Sequence, residues 1–187
     1  MATAGLVIGY LSVAVGILGI PLFVGMIQSD RERVHQLKVE NKEIAASDGK
    51  LRIATSGMWV KTLGLNNEAS LQISDKSKDM YLIVITDAKS AVGNMSLERH
   101  HQLTRDHMLE KMENSSATDA IPLTIDEHRA LQDEVSGRKQ NADLVFLHTT
   151  VDDGAHFQQI LAWTTKSRWP EQSHELREVT GTFRSEE

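Results

Sequence analysis

From Ala4 to Ile27 the chain reads AGLVIGYLSVAVGILGIPLFVGMI, 24 residues without a charge. A helix of about that length crosses roughly 30 Å of hydrocarbon at 1.5 Å per residue. A single run in lipid must satisfy its own backbone, so helix is the form expected, and the kink from Pro21 is tolerated there. The run stops abruptly at Gln28-Ser29-Asp30-Arg31-Glu32-Arg33. A cleaved signal peptide fits less well. No Lys or Arg precedes the run, its core is long, and Gly25-Met26-Ile27 is a poor cleavage site. The pattern predicts a single-pass membrane anchor over residues 1–28.

Within the anchor, Gly5, Gly9, Ser12, Gly16 and Gly19 recur at spacings of four and three. That puts small residues along one stripe, where backbones approach closely. The expected partner is a second copy or another helix. Arg31, Arg33, Lys38 and Lys42 follow the run, and the positive-inside rule then puts the rest of the chain in the cytoplasm. The stretch Ala4–Leu11 resembles the second helix of small bacterial two-helix membrane modules. A helix upstream of Met1 would change that premise, so the side of the soluble domain stays open.

Residues 29–48 are polar, with Val34, Leu37, Asn41 and Ile44 three or four apart. About one and a half heptads is too short for a coiled coil, so a solvated helical stalk is expected. Ser47-Asp48-Gly49 breaks it, and a soluble domain is expected over 49–187.

In that domain the pattern changes period. Leu51–Thr55 reads as a strand, Ala69–Ile73 alternates, and Met80–Thr86 is a continuous β-branched run suited to a strand buried on both faces. The polar Ser74–Asp79 segment makes the last two a hairpin. Ser96 caps a predicted helix running to about Glu113, with Leu97, His101, Thr104, Met108 and Met112 on one face, widened by Leu103 and Leu109. Asn114-Ser115-Ser116 ends it. Leu123–Ile125 and Ala130–Val135 are short strand candidates. Ala142–Val151 and Ala155–Thr165 flank Asp152-Asp153-Gly154 and form the clearest hairpin. Pro170 suits the first turn of a last helix, with Leu176, Val179 and Phe183 facing the core. The class expected is α+β, a mostly antiparallel sheet covered by helices and preceded by one transmembrane helix.

A net charge of −6 argues against nucleic-acid binding, which needs a basic face. The absence of cysteine excludes disulfides, thiol catalysis and Cys-based zinc sites.

The order of these pieces resembles the PsbP-like superfamily, which includes bacterial envelope proteins of the DcrB type. The resemblance rests on Met58-Trp59, Ala69-Ser70-Leu71, Tyr81–Val84, Ser96-Leu97-Glu98, Phe157–Thr164 and Gly181-Thr182-Phe183-Arg184. It covers about residues 50 to 185. Where bacterial relatives carry an Ile-Asn-Gly turn, this chain has Ile125-Asp126-Glu127-His128. The resemblance implies an α/β/α sandwich and a binding or assembly role. It transfers no catalytic residue.

The densest chemistry is Glu98-Arg99-His100-His101-Gln102-Leu103-Thr104-Arg105-Asp106-His107. The one-turn His spacing of a helical metal site is absent there, so surface or half-buried histidines are expected. His148 and His156 are expected as exposed cross-strand side chains. Ser136-Gly137-Arg138-Lys139 reads as a solvated basic turn, and Asp152-Asp153 as turn residues. Trp163 is expected in the core; Trp59 and Trp169 are the other groove candidates. No phosphate loop, nucleophile elbow or dinucleotide fingerprint exists. The sequence therefore offers no catalytic, cofactor-binding or metal-ligating set. The function expected is a membrane-tethered, non-enzymatic binding or assembly module working through protein contacts. A small-ligand or lipid carrier, with a pocket between sheet and helix, is the alternative.

Overall fold

The computed structural model describes residues 42–93 and 95–186. The expected anchor, its small-residue stripe and most of the stalk lie outside the described residues. Among the described residues, no helix is long and apolar enough to cross a membrane.

The strands are β1 (Lys42–Ala45), β2 (Leu51–Thr55), β3 (Val60–Lys61), β4 (Leu71–Asp75) and β5 (Met80–Ala88). Helix α1 (Leu97–Glu110) follows, then β6 (Glu113–Ala117), β7 (Ile121–Ile125), β8 (His128–Lys139), β9 (Ala142–Asp152) and β10 (His156–Thr165). Helix α2 (Trp169–Gly181) and β11 (Arg184–Ser185) close the chain. The main sheet has the order β3-β4-β5-β10-β9-β8-β6, and β7 also pairs with β8. A small sheet has the order β1-β2-β11. The pairings are antiparallel throughout.

Side chains alternate across the sheet, so each strand feeds two cores. Leu82, Val84, Leu147, Val151, Ile160 and Ala162 face α2 and the small sheet, where Leu176, Val179, Phe183, Ile53 and Trp59 pack on them. Ile83, Ile85, Phe146, Leu161 and Trp163 face the α1 side with Met108 and Leu65. The continuous apolar run at β5 is thus buried on both faces, as its pattern predicts. The hairpins β4–β5 and β9–β10 form as expected.

The differences have local causes. Lys42–Ala45, read as the end of the helical stalk, is a strand, because Ile44 pairs with Ile53 and is buried in the core. Ser96 caps α1 by accepting from Arg99 N at 3.2 Å, but the helix ends at Glu110. Asn114–Ser116 then belongs to β6, drawn into pairing with β8. Leu103 points outward, 40% exposed.

Ser136–Lys139 is not a turn but the end of β8. Gly137 is required there by close approach: a Cβ would meet Met112 Cβ at 2.8 Å and Glu113 O at 3.2 Å. The turn falls at Gln140-Asn141 instead, both at positive φ. The β7–β8 turn uses Asp126-Glu127, also both at positive φ, the geometry of a two-residue type I′ hairpin.

Candidate functional site

Three histidines expected at or near the surface are buried, because α1 docks its His face on a polar strip of the sheet. His100, His101 and His107 are all below a tenth exposed. His148 is not an exposed cross-strand residue but is wholly buried, opposite Leu161 in the ladder. His156 pairs with Ala88 rather than with His148.

The strip is organised by Asp133 of β8. Its Oδ2 accepts from His101 Nε2 at 3.0 Å and its Oδ1 from His148 Nδ1 at 2.9 Å. The outer ring nitrogens end on hydroxyls. His101 Nδ1 meets Thr150 Oγ1 at 2.9 Å, and His148 Nε2 meets Thr104 Oγ1 at 3.0 Å. The result is a chain Thr150–His101–Asp133–His148–Thr104 tying β9, α1 and β8 together. Arg105 Nη1 stands 3.7 Å from Asp133 Oδ2. Next to it, Asp87 accepts from His100 Nε2 at 3.0 Å and from Gln159, and His100 stacks on Phe157.

Burial alone would raise the Asp133 pKa. The hydrogen bonds from His101 and His148 outweigh it and hold the carboxyl below the usual range. Burial pushes His148 down to about 4. His148 is therefore neutral near pH 7, protonated on Nδ1 toward Asp133, and its bare Nε2 accepts from the Thr104 hydroxyl. His107 is lowered mainly by burial, with Lys111 adding to it.

His101, Asp133 and His148 bring three ligand-type atoms within 4.8 Å of one another. Their geometry suits a hydrogen-bonded network better than a metal. The two imidazoles are stacked, 4.3 Å apart with 17° between planes, so their in-plane lone pairs run side by side rather than converging. The two carboxylate oxygens each serve a different ring.

Thr104, His148 and Asp133 also have the connectivity of a nucleophile, base and orienting acid. The surroundings do not suit catalysis. Thr104 Oγ1 sits in mid-helix, 3.1 and 3.0 Å from the carbonyl oxygens of His100 and His101. The void it lines with Met108, Phe146 and Leu161 is about 20 Å³, room for a water.

An open cleft lies elsewhere, beside the β9–β10 turn. It holds about 450 Å³ and is lined by residues including Lys50, Ser70, Thr86, His128, His156 and Gln158. Asp153, in the expected turn, accepts from His156 N and Gln158 Nε2, both at 2.7 Å. Trp163 and Trp59 are in the two cores, and Trp169 is half-buried under Arg177. The polar network was hidden in the sequence because its members come from three elements. The one visible signal is that β8 and β9 place Asp133, His148 and Thr150 on their inward alternation.

No family model and no curated protein sequence matches the chain. The fold is PsbP-like. Cyanobacterial PsbP (CyanoP) from Synechocystis sp. PCC 6803 superposes with a TM-score of 0.60 at 11% identity, covering 81% of this chain and 96% of that one. LpqN of Mycobacterium tuberculosis, described as involved in cell envelope biogenesis, gives 0.54 at 14% identity over 86% of this chain and 98% of its own. At these identities the likeness is one of fold.

Proposed function

We propose that the chain is a membrane-tethered, non-enzymatic binding or assembly module acting through protein–protein contacts, with residues 4–27 as its tether. The observation that carries this reading is the placement of its chemistry. His148 and Asp133, which with Thr104 have the connectivity of a catalytic set, are buried and bonded to one another, whereas an open cleft lies beside the β9–β10 turn. A module of this kind fits the envelope role described for LpqN. The carrier alternative draws little support, since the space beneath α1 is about 20 Å³ and drug-sized ligands occupy several hundred. The test is native-size analysis of the full chain solubilised from its membranes. It should run as a complex larger than its own oligomer, and Ser70→Arg with Lys50→Glu should dissolve that complex. A chain that runs alone, or a complex indifferent to the cleft changes, contradicts the reading.

A further inference from the structure

Five large hydrophobic side chains are exposed among the described residues, and three of them fall within six positions: Met58 at 56%, Val60 at 46% and Leu63 at 84%. Single exposed apolar residues such as Leu103 and Ile121 need no explanation, but a cluster at one edge does. This cluster surrounds β3, the edge strand of the main sheet.

The cluster is held out rather than loose. Gly57 and Gly64, at φ +75° and +83°, turn the chain on either side of β3. Each turn pairs an outward residue with a buried neighbour: Met58 with Trp59, and Leu63 with Leu65. The Leu63 loop is clamped at its base by Gln72. Its Oε1 accepts from Leu65 N at 2.8 Å and Asn66 N at 3.1 Å, and its carbonyl accepts from Thr62 N at 2.9 Å. Leu63 therefore cannot fold back onto the core without breaking these bonds.

The chain also enters the domain at this edge. Lys42 pairs with Thr55, three residues before Met58. Fourteen residues, 28–41, separate Ile27 from Lys42. They span at most about 50 Å extended and about 21 Å as helix. In a chain of net charge −6, the stretch from Thr55 to Asn67 carries no acid, and its one cation, Lys61, donates to Ala45 O at 3.1 Å. β3 is only two residues long, a poor template for strand pairing with a second copy.

We propose that this edge rests on the bilayer, with Met58, Val60 and Leu63 entering the headgroup–acyl boundary. The proposal rests on the membrane-tether reading. Aliphatic side chains at such a boundary typically sit about 5–10 Å into it.

The full chain has no cysteine, so Leu63→Cys and Ile121→Cys each accept one polarity-sensitive fluorophore. Ile121 is a matched control: it is exposed and lies at the far edge of the sheet. Each labelled chain is reconstituted in phosphatidylethanolamine–phosphatidylglycerol vesicles containing acyl-chain nitroxide lipids. Expected is co-flotation of both, with position 63 blue-shifted and quenched roughly threefold or more over position 121, as interfacial insertion implies. Co-flotation with equal quenching overturns the proposal and leaves the tether intact. A blue shift at 63 without lipid quenching means that protein covers the patch, and also overturns it. Failure to float overturns both readings.

Discussion

His101 of α1 lies flat against His148 of β9, ring centroids 4.3 Å apart, and both rings donate to the same buried carboxylate of Asp133. Helix α1 is therefore fastened to the sheet by a hydrogen-bonded polar chain as well as by Leu97 and Met108. Satisfied networks of this kind rigidify a structure, and partly satisfied ones are costly.

Acid should loosen this attachment. Burial holds His148 at about 4 in the fold, against about 6.5 when unfolded. Between those values the unfolded chain binds the extra proton, so stability is full above pH 6.5 and falls as pH drops toward 4. The expected loss is on the order of 3 kcal/mol across that window. The lowered Asp133 and its unfolded counterpart extend the loss below about pH 4. Denaturant titrations at pH 7.5, 6, 5 and 4 measure it; a flat profile contradicts it.

Replacing the shared carboxylate tests the network itself. Asp133→Asn keeps the shape but turns an amide N–H₂ toward one ring N–H. It should cost about 1–3 kcal/mol, the penalty for a buried donor left unmatched. A loss under about half a kcal/mol, within the range of a surface substitution, would show that the hydrogen bonds contribute little.

The β7–β8 turn carries a removable strain. Glu127 sits at φ 64°, a conformation that favours glycine. Glu127→Gly should raise stability by about 0.5–1 kcal/mol, because both turn positions of a type I′ hairpin require positive φ. Asp126 must stay, since it accepts from Ser185 N at 3.0 Å and pairs with Arg184. A destabilised Glu127→Gly chain would place the turn elsewhere.

Metal removal should change nothing. With parallel rings and a divided carboxylate, His101, Asp133 and His148 form a network complete without an ion. A chelator should leave the thermal midpoint in place, whereas a structural metal contributes folding energy directly. A fall of several degrees would make the cluster a metal centre.

The fold was legible where one element carried its own signal. Met80–Thr86 declared a doubly buried strand, Asp152-Asp153-Gly154 a hairpin turn, and Pro170 a helix start. Signals failed where tertiary contact overrode local pattern. Gly137 looked like a turn residue but is a point of close approach to Met112 and Glu113. Ile44 fitted a heptad but pairs with Ile53. The polar network was the least legible part. Helical spacing among His100, His101 and His107 was the wrong test, because Asp133 and His148 arrive from strands 32 and 47 residues past His101.

The central claim, that this domain works by binding through its open face, is tested most directly by photo-crosslinking in the native membrane. A photoreactive residue replaces Ser70 or Lys50 at the cleft, or Leu103 on the outer face of α1. The account predicts one discrete protein adduct from both cleft positions and none from Leu103. Cleft positions that yield no adduct, or adducts equally strong from all three, would contradict it.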